Sequence, residues 1–124
     1  MRTILIVDDE FGIVDALGDL LTDEGYRVVS AANGRAGLAL IAKASPDLVL
    51  LDLMMPVMNG IEMLRNLRAS TSTRSLPVVL MSAAPKFAAL AMEPEIKEFS
   101  DYLRKPFDLD DVLDIVKRLI GPGE

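Results

Sequence analysis

Residues 48–55 read Leu48-Val49-Leu50-Leu51-Asp52-Leu53-Met54-Met55, an apolar run carrying one carboxylate. A short run that is apolar throughout, instead of alternating, predicts a strand covered on both faces. Such a strand belongs in a parallel sheet with helices on either side. Asp52 is the exception inside it. An unpaired carboxylate beside so apolar a run costs several kcal/mol, and the Leu-Met-Met-Pro56 that follows does not suit a helix cap. Asp52 therefore needs a charged partner or a chemical task.

Outward from this run the chain repeats one theme. Ile4–Val7, Val28–Ala31, Val78–Met81 and Tyr102–Leu103 are further strand candidates, and segments of helical period lie between them. Ile13, Val14, Leu17, Leu20 and Leu21 share one helix face, as do Leu40, Ile41 and Ala44, and then Ile61, Leu64 and Leu67. The last helix aligns Leu109, Val112, Leu113, Val116, Leu119 and Ile120, and Gly121-Pro122-Gly123 ends it. A fourth helix is expected within Ala83–Glu98, with Pro94 breaking or kinking it. Five β-α units predict an α/β fold with a parallel sheet and helices on both faces.

Composition narrows the chemistry. The 124 residues suit one domain. Thirteen Lys and Arg against nineteen Asp and Glu give a formal charge of −6, which argues against nucleic-acid or anionic-membrane partners. With no Cys and no His, thiolate and imidazole chemistry and the usual zinc or copper sites are excluded. Carboxylates, Lys and hydroxyls remain, and any metal should be hard and oxygen-liking. The N-terminal apolar run stops at Asp8-Asp9-Glu10 and no stretch reaches membrane-span length, so a cytoplasmic protein is expected. The seven Met are read as core filler.

In an open α/β sheet, ligands bind beyond the carboxyl ends of the strands. Four of the five strand candidates end in polar groups: Asp8 and Asp9, Asp52, Ser82, and Lys105 before Pro106. Each has a plainer reading. Asp8, Asp9 and Glu10 could form an acidic helix start, Ser82 could cap the fourth helix, and Lys105 could be a solvated strand-end lysine. Their convergence favours a site. If the first and third strands are neighbours, about 4.8 Å apart, Asp8, Asp9 and Asp52 crowd one crevice. Such a cluster requires protonation, pairing with Lys105 or a divalent cation. Mg²⁺ fits, because it takes a few carboxylates together with phosphate oxygens. Asp52 would then accept a phosphoryl group, with Lys105 and the Ser82 hydroxyl stabilising it.

These residues resemble the receiver domain of two-component response regulators across essentially the whole chain. The matching motifs are Ile-Leu-Ile-Val-Asp8-Asp9-Glu10, Asp47 through Asp52 to Pro56, Asn59-Gly60, Pro77 through Ser82-Ala83, and Asp101-Tyr102-Leu-Arg-Lys105-Pro106-Phe107. The resemblance implies a flavodoxin-like sheet of order 2-1-3-4-5 and a receiver domain spanning residues 1–124 with no output domain. It implies Asp52 as phosphoacceptor, and Mg²⁺ held by Asp8, Asp9, Asp52 and the Met54 backbone carbonyl. Ser82 and Tyr102 become switch residues and Lys105 a phosphoryl contact, with a cis bond to Pro106. Pro56 and Gly60 are structural. The implied donor is a histidine kinase or histidine phosphotransfer protein. The implied role is a phosphorylation-dependent switch, not a turnover enzyme. Its output face would comprise the fourth helix, fifth strand and last helix and would meet an unidentified downstream protein or pass phosphate on. Phe87, Met92 and Ile115 are candidate apolar anchors there. The stretch Glu93–Ser100 departs from the family's usual Ala-Gly-Ala turn. Met54 and Ala84, two residues beyond Asp52 and Ser82, cannot orient a water, so slow self-dephosphorylation is expected. A haloacid-dehalogenase-like phosphatase and a flavodoxin-like cofactor binder are the competing α/β readings. The first normally has Asp-x-Asp after its first strand, and the second needs a phosphate loop that three acids would repel. A degenerate receiver that works without phosphorylation would not need every active-site position filled.

Overall fold

The computed structural model describes residues 1–55, 57–83, 94, 98 and 100–123. Its strands are β1 (Thr3–Val7), β2 (Arg27–Ala31), β3 (Leu48–Asp52), β4 (Val78–Ser82) and β5 (Ser100–Arg104). Its helices, among the described residues, are α1 (Phe11–Asp23), α2 (Gly34–Ala44), α3 (Gly60–Ala69) and the last helix, α4 (Leu109–Ile120). All strand pairs are parallel, in the order β2-β1-β3-β4-β5. Most of the expected fourth-helix segment, together with Phe87, Met92, Ala84 and Pro56, lies outside the described residues.

The apolar runs become strands because both their faces are covered. β1, β3 and β4 are buried at every position. Alternate residues feed two cores. Leu5, Val7, Val49, Leu51, Val78 and Leu80 pack with Ile41 of α2 and Ile61, Met63, Leu64 and Leu67 of α3. Ile4, Ile6, Leu48, Leu50, Val79 and Met81 pack on the other side with Leu17 and Leu21 of α1 and Val112 and Val116 of α4. Ile115 packs half-buried against this second core, so it serves the interior and not a free output face. Leu109, expected on the buried stripe, is exposed.

Local chemistry sets the boundaries. Asn33 and Asn59 cap α2 and α3, each accepting from a backbone N–H three residues on, at 2.9 Å. Asp47 accepts the Thr3 N–H at 2.8 Å and so fixes where β1 and β3 begin alongside one another. Gly60 opens α3 against the end of β3. A Cβ there would lie 2.5 Å from the Asp52 carbonyl oxygen and 2.7 Å from Leu53 Cα. Only glycine lets the helix start this close to the strand bearing Asp52.

Two glycine substitutions should therefore have opposite signs. Gly60→Ala forces backbone apart and should destabilise by roughly 1–3 kcal/mol. Gly18→Ala, within α1 and with open space around the new Cβ, should stabilise by about 0.5–1 kcal/mol. Urea unfolding of the two variants beside the parent checks both, and a neutral Gly60→Ala refutes the packing account.

Candidate phosphoacceptor site

Strand register brings the polar ends together. Val7 pairs with Leu51, so Asp8 and Asp52 lie at adjoining strand tips. Asp52 pairs with Met81, which places Ser82 next along β4, and Ser82 pairs with Arg104, which places Lys105 next along β5. Asp8, Asp52 and Ser82 are all buried, at 2%, 3% and 1% exposure. The sheet thus drives three polar side chains into its own interior edge.

Lys105 closes the group. Its Nζ lies 2.9 Å from Glu10 Oε1, 3.1 Å from Asp8 Oδ2 and 3.7 Å from Asp52 Oδ2. Asp8 Oδ1 also accepts the Glu10 N–H at 2.9 Å, and Asp52 Oδ1 accepts the Met54 N–H at 3.1 Å. Lys105 is positioned from behind: its N–H donates to the Ser82 carbonyl at 3.0 Å, and the peptide bond to Pro106 is cis. The same Ser82 carbonyl accepts the Tyr102 hydroxyl at 3.1 Å. Tyr102 is half-buried and its ring packs against the first core.

The electrostatics follow from burial. Loss of solvent raises the Asp52 carboxyl to about 6. The Met54 N–H opposes that rise, the Asp8 charge adds to it, and Lys105 opposes it more weakly. Burial alone would lower the Lys105 ammonium, but Glu10, Asp8 and Asp52 outweigh it and hold the group above its ordinary value.

Carboxylate oxygens of Asp8, Glu10 and Asp52 all lie within 4.8 Å of one another. Three carboxylates against one ammonium leave the crevice anionic, and every donor is a hard oxygen. That set fits a small divalent cation. Asp9 is exposed and is not among these three; the third carboxylate is Glu10, which pairs with Lys105. The chain's only clue to Glu10 was a third consecutive acid, which does not say which of the three turns inward. Nor is Glu10 spent on capping: it occupies the N-cap of α1, yet its side chain makes no cap hydrogen bond. An acid does stand at the start of α1, but it makes no cap bond and the first turn holds no acidic residue. Met54 has an exposed side chain and reaches Asp52 through its backbone. Among the described residues no helix is long and apolar enough to cross a membrane.

Comparison with known proteins adds to the geometry. A family model described as the response regulator receiver domain matches residues 4–117. Sporulation initiation phosphotransferase F of Bacillus subtilis (strain 168) is 40% identical over 119 residues, covering 94% of this chain and 92% of that protein. The solved structure of Vibrio cholerae chemotaxis protein CheY4 superposes with a TM-score of 0.86 at 30% identity, covering 97% of this chain and 99% of that one. Response regulator protein TrrA from Thermotoga maritima, solved in complex with Mg(2+)-BeF, gives a TM-score of 0.83 at 30% identity over 97% and 100% of the two chains. Against several other curated relatives the chain spans about half their length, 49% and 55% for two of them.

The raised Asp52 carboxyl yields a stability prediction for the metal-free protein. Its folded value, about 6, lies above the ordinary 3.8. The folded state therefore holds the proton more tightly, and the ionised group costs stability at pH above 6. That cost fades as pH falls from 6 towards 4. Asp52→Asn removes it, so in chelator at pH 7.5 the variant should be more stable by roughly 2–3 kcal/mol at most. The advantage should vanish near pH 4. Thermal melts across this range, with equal stabilities at every pH as the contrary result, decide it.

Proposed function

The chain belongs to the response regulator receiver domain family, and from that premise we propose that Asp52 accepts a phosphoryl group from a histidine kinase or histidine phosphotransfer protein. The protein is a phosphorylation-dependent signalling switch, and receiver domains bind Mg²⁺ at the acidic cluster that this chain also carries. The supporting observation is the Lys105 ammonium shared among Asp8, Glu10 and Asp52 at adjoining strand tips.

In the proposed mechanism an Asp52 carboxylate oxygen attacks the donor's phosphorus. A P–O bond forms as the P–N bond of the phosphohistidine breaks, and the imidazole leaves with a proton. The Met54 N–H, on the other Asp52 oxygen, orients the nucleophile. Lys105 and the Ser82 hydroxyl would contact the transferred group. Asp8, Asp9 and Asp52, with the Met54 carbonyl, would hold Mg²⁺, which when bound neutralises charge on the phosphoryl oxygens. The buried Asp8 and Asp52 suit that role directly; Asp9, exposed, would serve from the solvent side. The added charge pulls on Lys105 and Ser82, and Tyr102, bonded to the Ser82 carbonyl, repacks in response.

The acceptor acts once per donor, so the chain is a switch and not a turnover enzyme, and it works in the cytoplasm beside its kinase. Exposed Phe11 and Leu109 at the starts of α1 and α4, with Met54 and Val57 between β3 and α3, leave apolar surface for a protein donor. Output would run through the face comprising β5, α4 and the segment before β5, to a downstream protein or onward as phosphate.

Incubation with Mg²⁺ and a small acyl phosphate should add one phosphoryl group by mass spectrometry, and Asp52→Asn should add none. Phosphorylation that survives Asp52→Asn overturns the assignment. With Met54 and Ala84 two residues beyond Asp52 and Ser82 in the chain, neither able to orient a water by a side-chain hydrogen bond, the phosphoryl group should persist for minutes or longer after donor removal. Loss within seconds contradicts that expectation.

A further inference from the structure

Lys105 has three carboxylate neighbours, and they are not equivalent. Asp8 and Asp52 are held by the sheet and by backbone N–H groups, and both are buried. Glu10 is different: its side chain is 57% exposed, yet it makes the shortest contact to the ammonium, 2.9 Å against 3.1 Å and 3.7 Å. It sits at a helix N-cap position without capping the helix. An exposed carboxylate can return to water at little cost, whereas a buried one cannot. Of the three, Glu10 is the partner that Lys105 can give up.

We propose that Glu10 is a positioning residue that holds the Lys105 ammonium off Asp52 in the resting protein and is released when a phosphoryl group arrives there. This rests on the reading of Asp52 as phosphoacceptor. The contact exists only before phosphorylation, so it stabilises the resting state and opposes the phosphorylated one. Glu10 acts through Lys105 and touches no phosphoryl atom itself. It therefore sets how readily the switch turns on without taking part in bond making.

The test uses beryllofluoride with saturating Mg²⁺ as a phosphoryl mimic, titrated into the full chain. Glu10→Gln should bind it about two- to fivefold more tightly than the parent, the range expected for losing one exposed ion pair. In a Lys105→Met background the same Glu10→Gln change should have no effect, because the residue through which it acts is gone. The Lys105 Nζ resonance, read by NMR without the mimic, should shift between the parent and Glu10→Gln. Equal affinities for the parent and Glu10→Gln overturn the proposal. So does a gain that persists in the Lys105→Met background, which marks simple charge repulsion. A large loss of Mg²⁺ affinity in Glu10→Gln assigns the carboxylate to the ion and overturns it too. Failure of the parent itself to bind the mimic brings down the phosphoacceptor reading, and this proposal with it.

Discussion

Three carboxylates drawn around one ammonium, at the edge of a sheet that admits little water, form the constraint on which the rest of the structure depends. Like charges this close repel, and for Asp8 and Asp52 burial removes the solvent that would screen them. The protein tolerates the arrangement because the sheet leaves no alternative. Asp8 and Asp52 continue strands whose every preceding residue is packed on both sides, so neither can swing out without unzipping core. The stability of the apolar layers is what holds the anionic crevice together. The fold stores unfavourable electrostatics at one edge, and an incoming cation or phosphoryl group can relieve it or exploit it.

The helices are placed to the same end. α3 begins against the Asp52 carbonyl because Gly60 lacks a side chain, and this approach steadies the loop that delivers the Met54 N–H. The caps from Asn33 and Asn59 fix where helices start relative to strand tips. On the far side of the site, the Ser82 carbonyl gathers the Lys105 N–H and the Tyr102 hydroxyl. Positioning thus comes from backbone groups, which move only with the sheet.

Much of this could be read in the chain. β1, β3 and β4 were legible because central parallel strands are apolar throughout, with no alternation to misread. β5 was legible only in part: Tyr102–Leu103 proved to be the middle of Ser100–Arg104, because an edge strand keeps polar residues that carry no apolar signal. Polar residues ending the apolar runs pointed to the site, but strand order 2-1-3-4-5 came from family resemblance, since periodicity does not encode which strands are neighbours. Asp8-Asp9-Glu10 shows the limit most sharply. Three acids in a row look alike in sequence. Only the exit angle of the chain from β1 into α1 decides that Asp8 turns in, Asp9 turns out and Glu10 comes back to Lys105.

That return has a mechanical consequence. Lys105 carries two kinds of bond at once: its ammonium to the acids and its backbone N–H to the Ser82 carbonyl. Lys105 is tied to the Ser82 carbonyl through its own N–H, and the Tyr102 hydroxyl bonds the same carbonyl oxygen. In the proposed switch, a charge added at the strand tips would reach an aromatic ring on the edge strand through two hydrogen bonds on one atom. No long wire is required. The coupling is short because the strands that supply the acids, the hydroxyl and the lysine are successive neighbours in the sheet, so topology alone sets the acid cluster and the ring one carbonyl apart.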